Sequence, residues 1–219
     1  MEYGDYTKKE LATFRLKSLE DARQTWIDHW QDISQYILPK KGRFYGTTQN
    51  DGKKLHSQIV DGTAQRALRV LAAGMQGGLT SPSRPWFKLG FSDFSLNDNS
   101  EVKWWLDNVE RIMYQAFAKS NFYSAIHTLY SELAAFGTGA LVHEEGENSP
   151  LNFRVLTTGR YAIGLNNEGV ADSIARRVWL EARNVISRFG EENVSRYVKQ
   201  LAVTQPCEFV ELIHLVYPR

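Results

Sequence analysis

Between Gly74 and Gly78 the sequence reads GMQGG, and bare glycine backbone is the first feature here that could cradle a phosphate. A phosphate loop follows a strand, opens a helix and places Lys and Ser/Thr directly after its last glycine. Here the next residue is Leu79, and the glycines close a helical pattern. Close packing of another helix or strand against small residues is the better reading. The five histidines, His29, His56, His127, His143 and His214, are scattered, and none has a second His or Cys at metal-ligand spacing. In His143-Glu144-Glu145, strand alternation puts His143 and Glu145 on one face, as an acid–base or metal pair or, better, a solvated hairpin end. Cys207 is the only cysteine, which excludes an intramolecular disulfide and fits a reducing compartment. Its place at the start of an apolar strand suits a small hydrophobe better than a nucleophile. No GxSxG elbow occurs, and no carboxylate pair has a setting for acid–base work. The expectation is a protein that is not an enzyme and takes no cofactor or metal.

Two stretches could meet a polyanion. Arg183–Leu201, RNVISRFGEENVSRYVKQL, superficially resembles a helix-turn-helix, with Arg196, Lys199 and Gln200 on its second helix. Two packed surface helices explain it better. Lys40–His56 is a glycine-containing linker that carries Lys40, Lys41, Arg43, Lys53 and Lys54 against Asp51 alone. Phosphates would be attracted there without sequence readout, which makes a nucleic-acid-binding module the alternative function.

These residues need elements to hold them. The chain has 219 residues, 42% hydrophobic and 23% charged, ordinary for a globular protein and too apolar for disorder. Its net charge of +1 excludes a strong overall pull toward nucleic acid or membrane. The N-terminal MEYGDYTKKE is no signal peptide, and no apolar run approaches a bilayer span. Thr7 and Glu10 make a capping-box pattern ahead of a long helix through Trp26, Trp30, Ile33 and Ile37, stopped at Pro39. Its length suggests a break near Ser18–Asp21. A second helix runs from about Ser57 to Gly78, with Val60, Ala64, Leu68, Leu71 and Met75 on one face.

Pro82 and Pro85 then force an extended turn that carries Trp86 and Phe87. Two more helices show apolar stripes, Val102–Phe117 and Phe122–Leu133, parted at Ser120-Asn121 and ended by Gly137. From Ala140 the period changes to that of strands: 140–145, 151–156, 160–165, 170–179 and 207–217, with two short helices, 180–189 and 191–202, before the last. Helices first and strands second is an α+β order: about four helices, then a mostly antiparallel sheet with two short helices. The expected division is a helical part, 1–138, and a β-rich part, 139–219. Trp86 and Phe87, with Arg84 beside them, are expected to anchor either this core or a neighbouring subunit.

Five ordered stretches resemble the head-to-tail connector, or portal, family of short-tailed bacteriophages. They are Trp26–Phe44 (WIDHWQDISQYILPKKGRF), Leu71–Leu89 (LAAGMQGGLTSPSRPWFKL), Ser120–Leu141 (SNFYSAIHTLYSELAAFGTGAL), Arg160–Arg176 (RYAIGLNNEGVADSIAR) and Glu211–Arg219 (ELIHLVYPR). The resemblance implies a structural subunit of a homo-oligomeric ring, typically a dodecamer, at the portal vertex of the virion. Such rings pass double-stranded DNA inward during packaging and outward during ejection. The implied partners are further copies, terminase, scaffold, major capsid and tail proteins, with no membrane, and assembly in the host cytoplasm. Family members are longer, so these residues resemble the N-terminal, wing-type portion, with stem, clip and crown lying beyond.

Overall fold

A computed structural model describes residues 8–39, 59–146 and 150–218. Thr7, the expected cap, and the basic residues Lys40, Lys41, Arg43, Lys53 and Lys54 lie outside the described residues, as does His56. The chain divides into two compact units, one built from Met1–Asp28 and Gly159–Arg219, the other from His29–Thr158. The architecture is α+β, as the order of periodicities requires.

The first helix, α1 (Lys8–Tyr36), runs unbroken through Ser18–Asp21, so the expected break is absent. No residue from 18 to 21 is Gly or Pro, the usual causes of a kink. In the first unit the part of α1 up to Asp28 lies on a three-stranded antiparallel sheet of order β3 (Tyr161–Leu165), β4 (Ala171–Glu181) and β5 (Phe209–Val216). Leu19 comes within 3.1 Å of where a Cβ on Gly164 would sit, so the absent side chain lets the helix approach. Arg177 bridges Glu20 of α1 (2.9 Å) and Glu211 of β5 (2.8 Å), and the two carboxylates hold its guanidinium more firmly protonated. The half-buried Arg23 guanidinium donates to the Tyr161 carbonyl, and burial lowers its pKa. Arg15 sits 3.8 Å over the Tyr217 ring. The β3–β4 turn closes on Asn166, whose side chain accepts from the N–H groups of Glu168 and Val170, with Gly169 at φ +78°.

The two short helices are α6 (Ala182–Phe189) and α7 (Arg196–Thr204), separated by Gly190 at φ +80° and the 3-10 turn Glu191–Asn193. They pack on each other and bury Ala182, Val185 and Val198. Cys207 is exposed in the turn before β5. It does not pack as a small hydrophobe, because the strand begins two residues later than its apolar pattern implies.

In the second unit, α2 (Thr63–Leu79) starts about a turn and a half later than the apolar pattern predicts. Asp61 marks the start: its carboxylate accepts from Thr63 N at 3.2 Å, and the Thr63 contacts hold its pKa low. Leu68 and Ala72 are its buried positions, whereas Val60 and Leu71 are exposed. A one-turn helix, α3 (Phe94–Asn97), has no counterpart in the sequence pattern and is capped by Asp93, which accepts from Ser95 N. Asn99 caps α4 (Ser100–Lys119) by accepting from Glu101 N. The helix α5 (Phe122–Phe136) ends on Gly137 in the left-handed conformation, φ +73°. The hairpin of β1 (Ala140–Glu144) and β2 (Asn152–Leu156) pairs His143 with Phe153. The core is Ala72, Phe122, Ile126 and Tyr130, with Met75, Trp86, Phe117, Tyr123, Leu129 and Phe153 packed around it.

Ala72, fully buried, is where α2 meets α5. The three glycines at the C-terminal end of α2 do not serve this contact. A Cβ added at Gly74, Gly77 or Gly78 would meet nothing within 4 Å, so the expected close-packed neighbour is absent among the described residues. Among those residues no helix is long and apolar enough to cross a membrane.

Candidate functional site

The segment from Thr80 to Leu89 leaves α2 without regular structure, so its backbone groups need partners elsewhere. Pro82 and Pro85 remove two N–H donors, and the chain turns at Pro82-Ser83 and bends at Arg84. Thr80 and Ser81 are buried, and the Thr80 hydroxyl lies 3.2 Å from that of Tyr130 in the core. Ser81 and Ser83 hydroxyls are 3.0 Å apart across the bend. Arg84 is exposed, and its Nη2 donates to the Gly77 carbonyl at 2.8 Å, which satisfies one of the free carbonyls at the end of α2.

Tyr114, on α4, clamps the two residues after Pro85. Its hydroxyl accepts from Trp86 N (2.7 Å) and Phe87 N (2.8 Å) and donates to the Phe87 carbonyl (2.8 Å). One donor and two lone pairs are all that a hydroxyl offers, so Tyr114 is saturated. Leu89 N adds a longer bond to Glu110 Oε2 at 3.4 Å.

The clamp sets the rings. Trp86 stacks on Phe122 with centroids 5.7 Å apart and planes 8° apart, and it meets Phe87 edge-on at 4.8 Å. Phe87 stacks on the Tyr114 ring at 4.4 Å. Phe117 and Phe153 continue the cluster from α4 to β2. Trp86 and Phe87 are both half-buried, packed on the core side and open on the other. Beside the turn runs an open groove of about 640 Å³, lined by Arg84, Lys88 and Arg111 as well as Asp107 and Glu110.

The other residues singled out in sequence fall apart chemically. His143 lies against Phe153 at 5.3 Å and Glu144 pairs with Arg154 at 2.8 Å, while Glu145, the expected face partner of His143, lies past the end of β1. His127 Nδ1 meets Gln76 Oε1 at 2.9 Å, and His214 Nδ1 accepts from Arg176 Nε at 2.9 Å. No group of three or more metal-ligating side chains occurs among the described residues.

A family model described as bacteriophage head to tail connecting protein matches residues 9–219. The chain belongs to that family. It is 40% identical over 217 residues to the "Probable portal protein" of Bordetella phage BPP-1, covering 99% of this chain and 39% of that protein. It is 35% identical over 213 residues to the "Portal protein" of Salmonella phage epsilon15, covering 97% of this chain and 38% of that protein. This connector-family chain therefore spans well under half the length of the curated relatives it matches.

Several residues that hold this unit together are invisible to motif reading. Tyr114 looks like one more aromatic on an amphipathic helix. Asn121 looks like a helix cap, yet its amide grips the backbone of Phe153, accepting from N at 2.8 Å and donating to O at 2.7 Å. Gln76 donates to the Tyr123 carbonyl at 3.0 Å, tying α2 to the first turn of α5. Only the polar residues' lack of a motif partner hints at such roles, and that signal is weak.

Tyr114→Phe is expected to keep the ring stack and lose the clamp. Two N–H groups and one carbonyl would then lack their partner, at about 1–3 kcal/mol. Urea unfolding measures the loss; an unchanged midpoint would remove Tyr114 from its clamping role.

Proposed function

We propose that this chain is a structural, non-catalytic part of a phage portal, the head-tail connector. Its role is assembly into a homo-oligomeric ring at one capsid vertex, through which double-stranded DNA is packaged and later ejected. In that setting it docks the terminase motor and then the tail, within a particle whose scaffold and major capsid proteins surround it during assembly in the host cytoplasm. The observation that carries this reading is alignment over nearly the entire chain with two proteins named as portal proteins. Those alignments cover 99% and 97% of the chain and so reach into both compact units, and the likeness is not confined to one motif.

Within the subunit, Trp86 and Phe87 serve as anchors of their own unit, with Arg84 fixing the end of α2. The ring stack on Phe122 and the saturated Tyr114 clamp support that assignment over a role reserved for a neighbour. A ring requires a heterologous contact repeated by rotation, so it needs two different surfaces on each copy.

Negative-stain imaging and light scattering of the purified chain test the assembly reading. Closed rings of one rotational order are the expected result. Particles that remain monomeric at every concentration would overturn self-assembly by these residues.

A further inference from the structure

Two exposed helix faces of the second unit carry apolar residues rimmed by opposite charge. The first is the N-terminal half of α4. Trp104 and Trp105 are 70% and 52% exposed there, large for indoles on a helix surface. Glu101 and Asp107 lie three residues to either side of Trp104, on the same exposed face. From Asp93 to Glu110 there are five carboxylates and one cation, Lys103, which pairs with Asp98 at 3.6 Å. Along the chain the charge turns positive only at Arg111, while in space Asp107 shares its groove with Arg84, Lys88 and Arg111, so the negative rim is strongest at Glu101.

The second face is on α2. Val70 and Leu71 are 67% and 53% exposed, and Arg66 lies one turn before Arg69 and Val70 on the helix surface. The helix Thr63–Leu79 contains no acidic residue. One face is therefore apolar and negative, the other apolar and positive. Isolated exposed hydrophobes need no explanation, but two apolar faces of opposite charge on one unit complement each other between copies.

Resting on the ring reading, we infer that the α4 face of one copy, centred on Trp104, docks on the α2 face of the next copy, centred on Val70. The contact is heterologous, which a closed ring needs and a two-fold dimer would not supply. Trp104 is its apolar anchor; Glu101 and Asp107 meet Arg66 and Arg69 at the rim. Rim charges set register and suppress wrong partners, so reversing one side places like charges together.

The test is sedimentation velocity on three charge-reversed chains. Arg66→Glu with Arg69→Glu is expected to weaken self-association about tenfold or more, and so is Glu101→Lys with Asp107→Lys. All four together restore opposite signs and return association close to that of the unsubstituted chain. Trp104→Ala weakens association whatever the charge. All these positions are exposed, so circular dichroism melts should shift only slightly, most for Glu101→Lys in the first turn of α4, separating loss of contact from loss of folding. A four-site chain no better than either pair would overturn the contact. So would reversed chains that assemble as well as the original, which leaves the ring reading standing and this surface wrong. Charge-dependent association without closed rings gives the opposite result, with the surface right and the ring reading wrong. A chain that stays monomeric throughout rejects the contact together with self-assembly by these residues.

Discussion

Trp86→Ala is expected to lower the stability of the second unit by about 3 kcal/mol, the range for deleting a large aromatic from a packed cluster. Trp86 touches Phe87, Tyr114, Phe117 and Phe122 at once, so its removal leaves a void bordered by rings from the turn, α4 and α5. The neighbours cannot all collapse into it, because the Tyr114 clamp fixes the backbone at Phe87. Chemical denaturation read by intrinsic fluorescence and circular dichroism gives the change. A variant that melts like the original yet fails to assemble would move Trp86 from its own core to a neighbour's contact. A variant unchanged in both would remove it from either role.

Glu132→Ala is expected to cost a similar amount, about 3 kcal/mol, for a different reason. Glu132 is 0% exposed on α5, and its Oε2 accepts from Thr158 N at 2.9 Å and from the Thr158 hydroxyl at 3.2 Å. Thr158, itself 1% exposed, is the last residue of the second unit. Truncation leaves its buried N–H without a partner and opens a cavity of carboxylate size. Glu132→Gln keeps an accepting oxygen and should lose markedly less. Urea midpoints rank the two; equal losses would show that the charge, not the acceptor, matters there.

Much of the architecture comes from periodicity and punctuation. The helical stripe from Phe122 and its stop at Gly137 are legible, since a 3.6-residue apolar period and a glycine end are local properties. So are the strands from Ala140 onward and their antiparallel order, because alternation and turn residues are local too. The start of α2 is not, because Val60 extends the apolar pattern one turn beyond the helix and only its 100% exposure separates it from the stripe. The glycines of α2 read as a packing surface for a neighbour that the described residues do not supply. Cys207 reads as buried because its strand pattern overruns the strand.

The run from Leu71 to Phe87 marks the boundary between the two kinds of information. Local sequence is enough to rule out a phosphate loop at its glycines and to place an extended turn at Pro82 and Pro85, ending in Trp86 and Phe87. It is also enough for kinship with the connectors, since ordered residues along the chain carry it. The distant side chains that hold the turn emerge only in the folded chain: Tyr114 from 27 and 28 residues away, Phe122 beneath the indole, Tyr130 at Thr80. The same is true of the return of β3, β4 and β5 to the N-terminal half of α1, where Arg177 reaches Glu20 across 157 residues. One cause underlies each case. Propensity, turn chemistry and stripe are set by neighbours a few residues apart. A hydroxyl or guanidinium acquires its partner only when packing brings remote groups within about 3 Å.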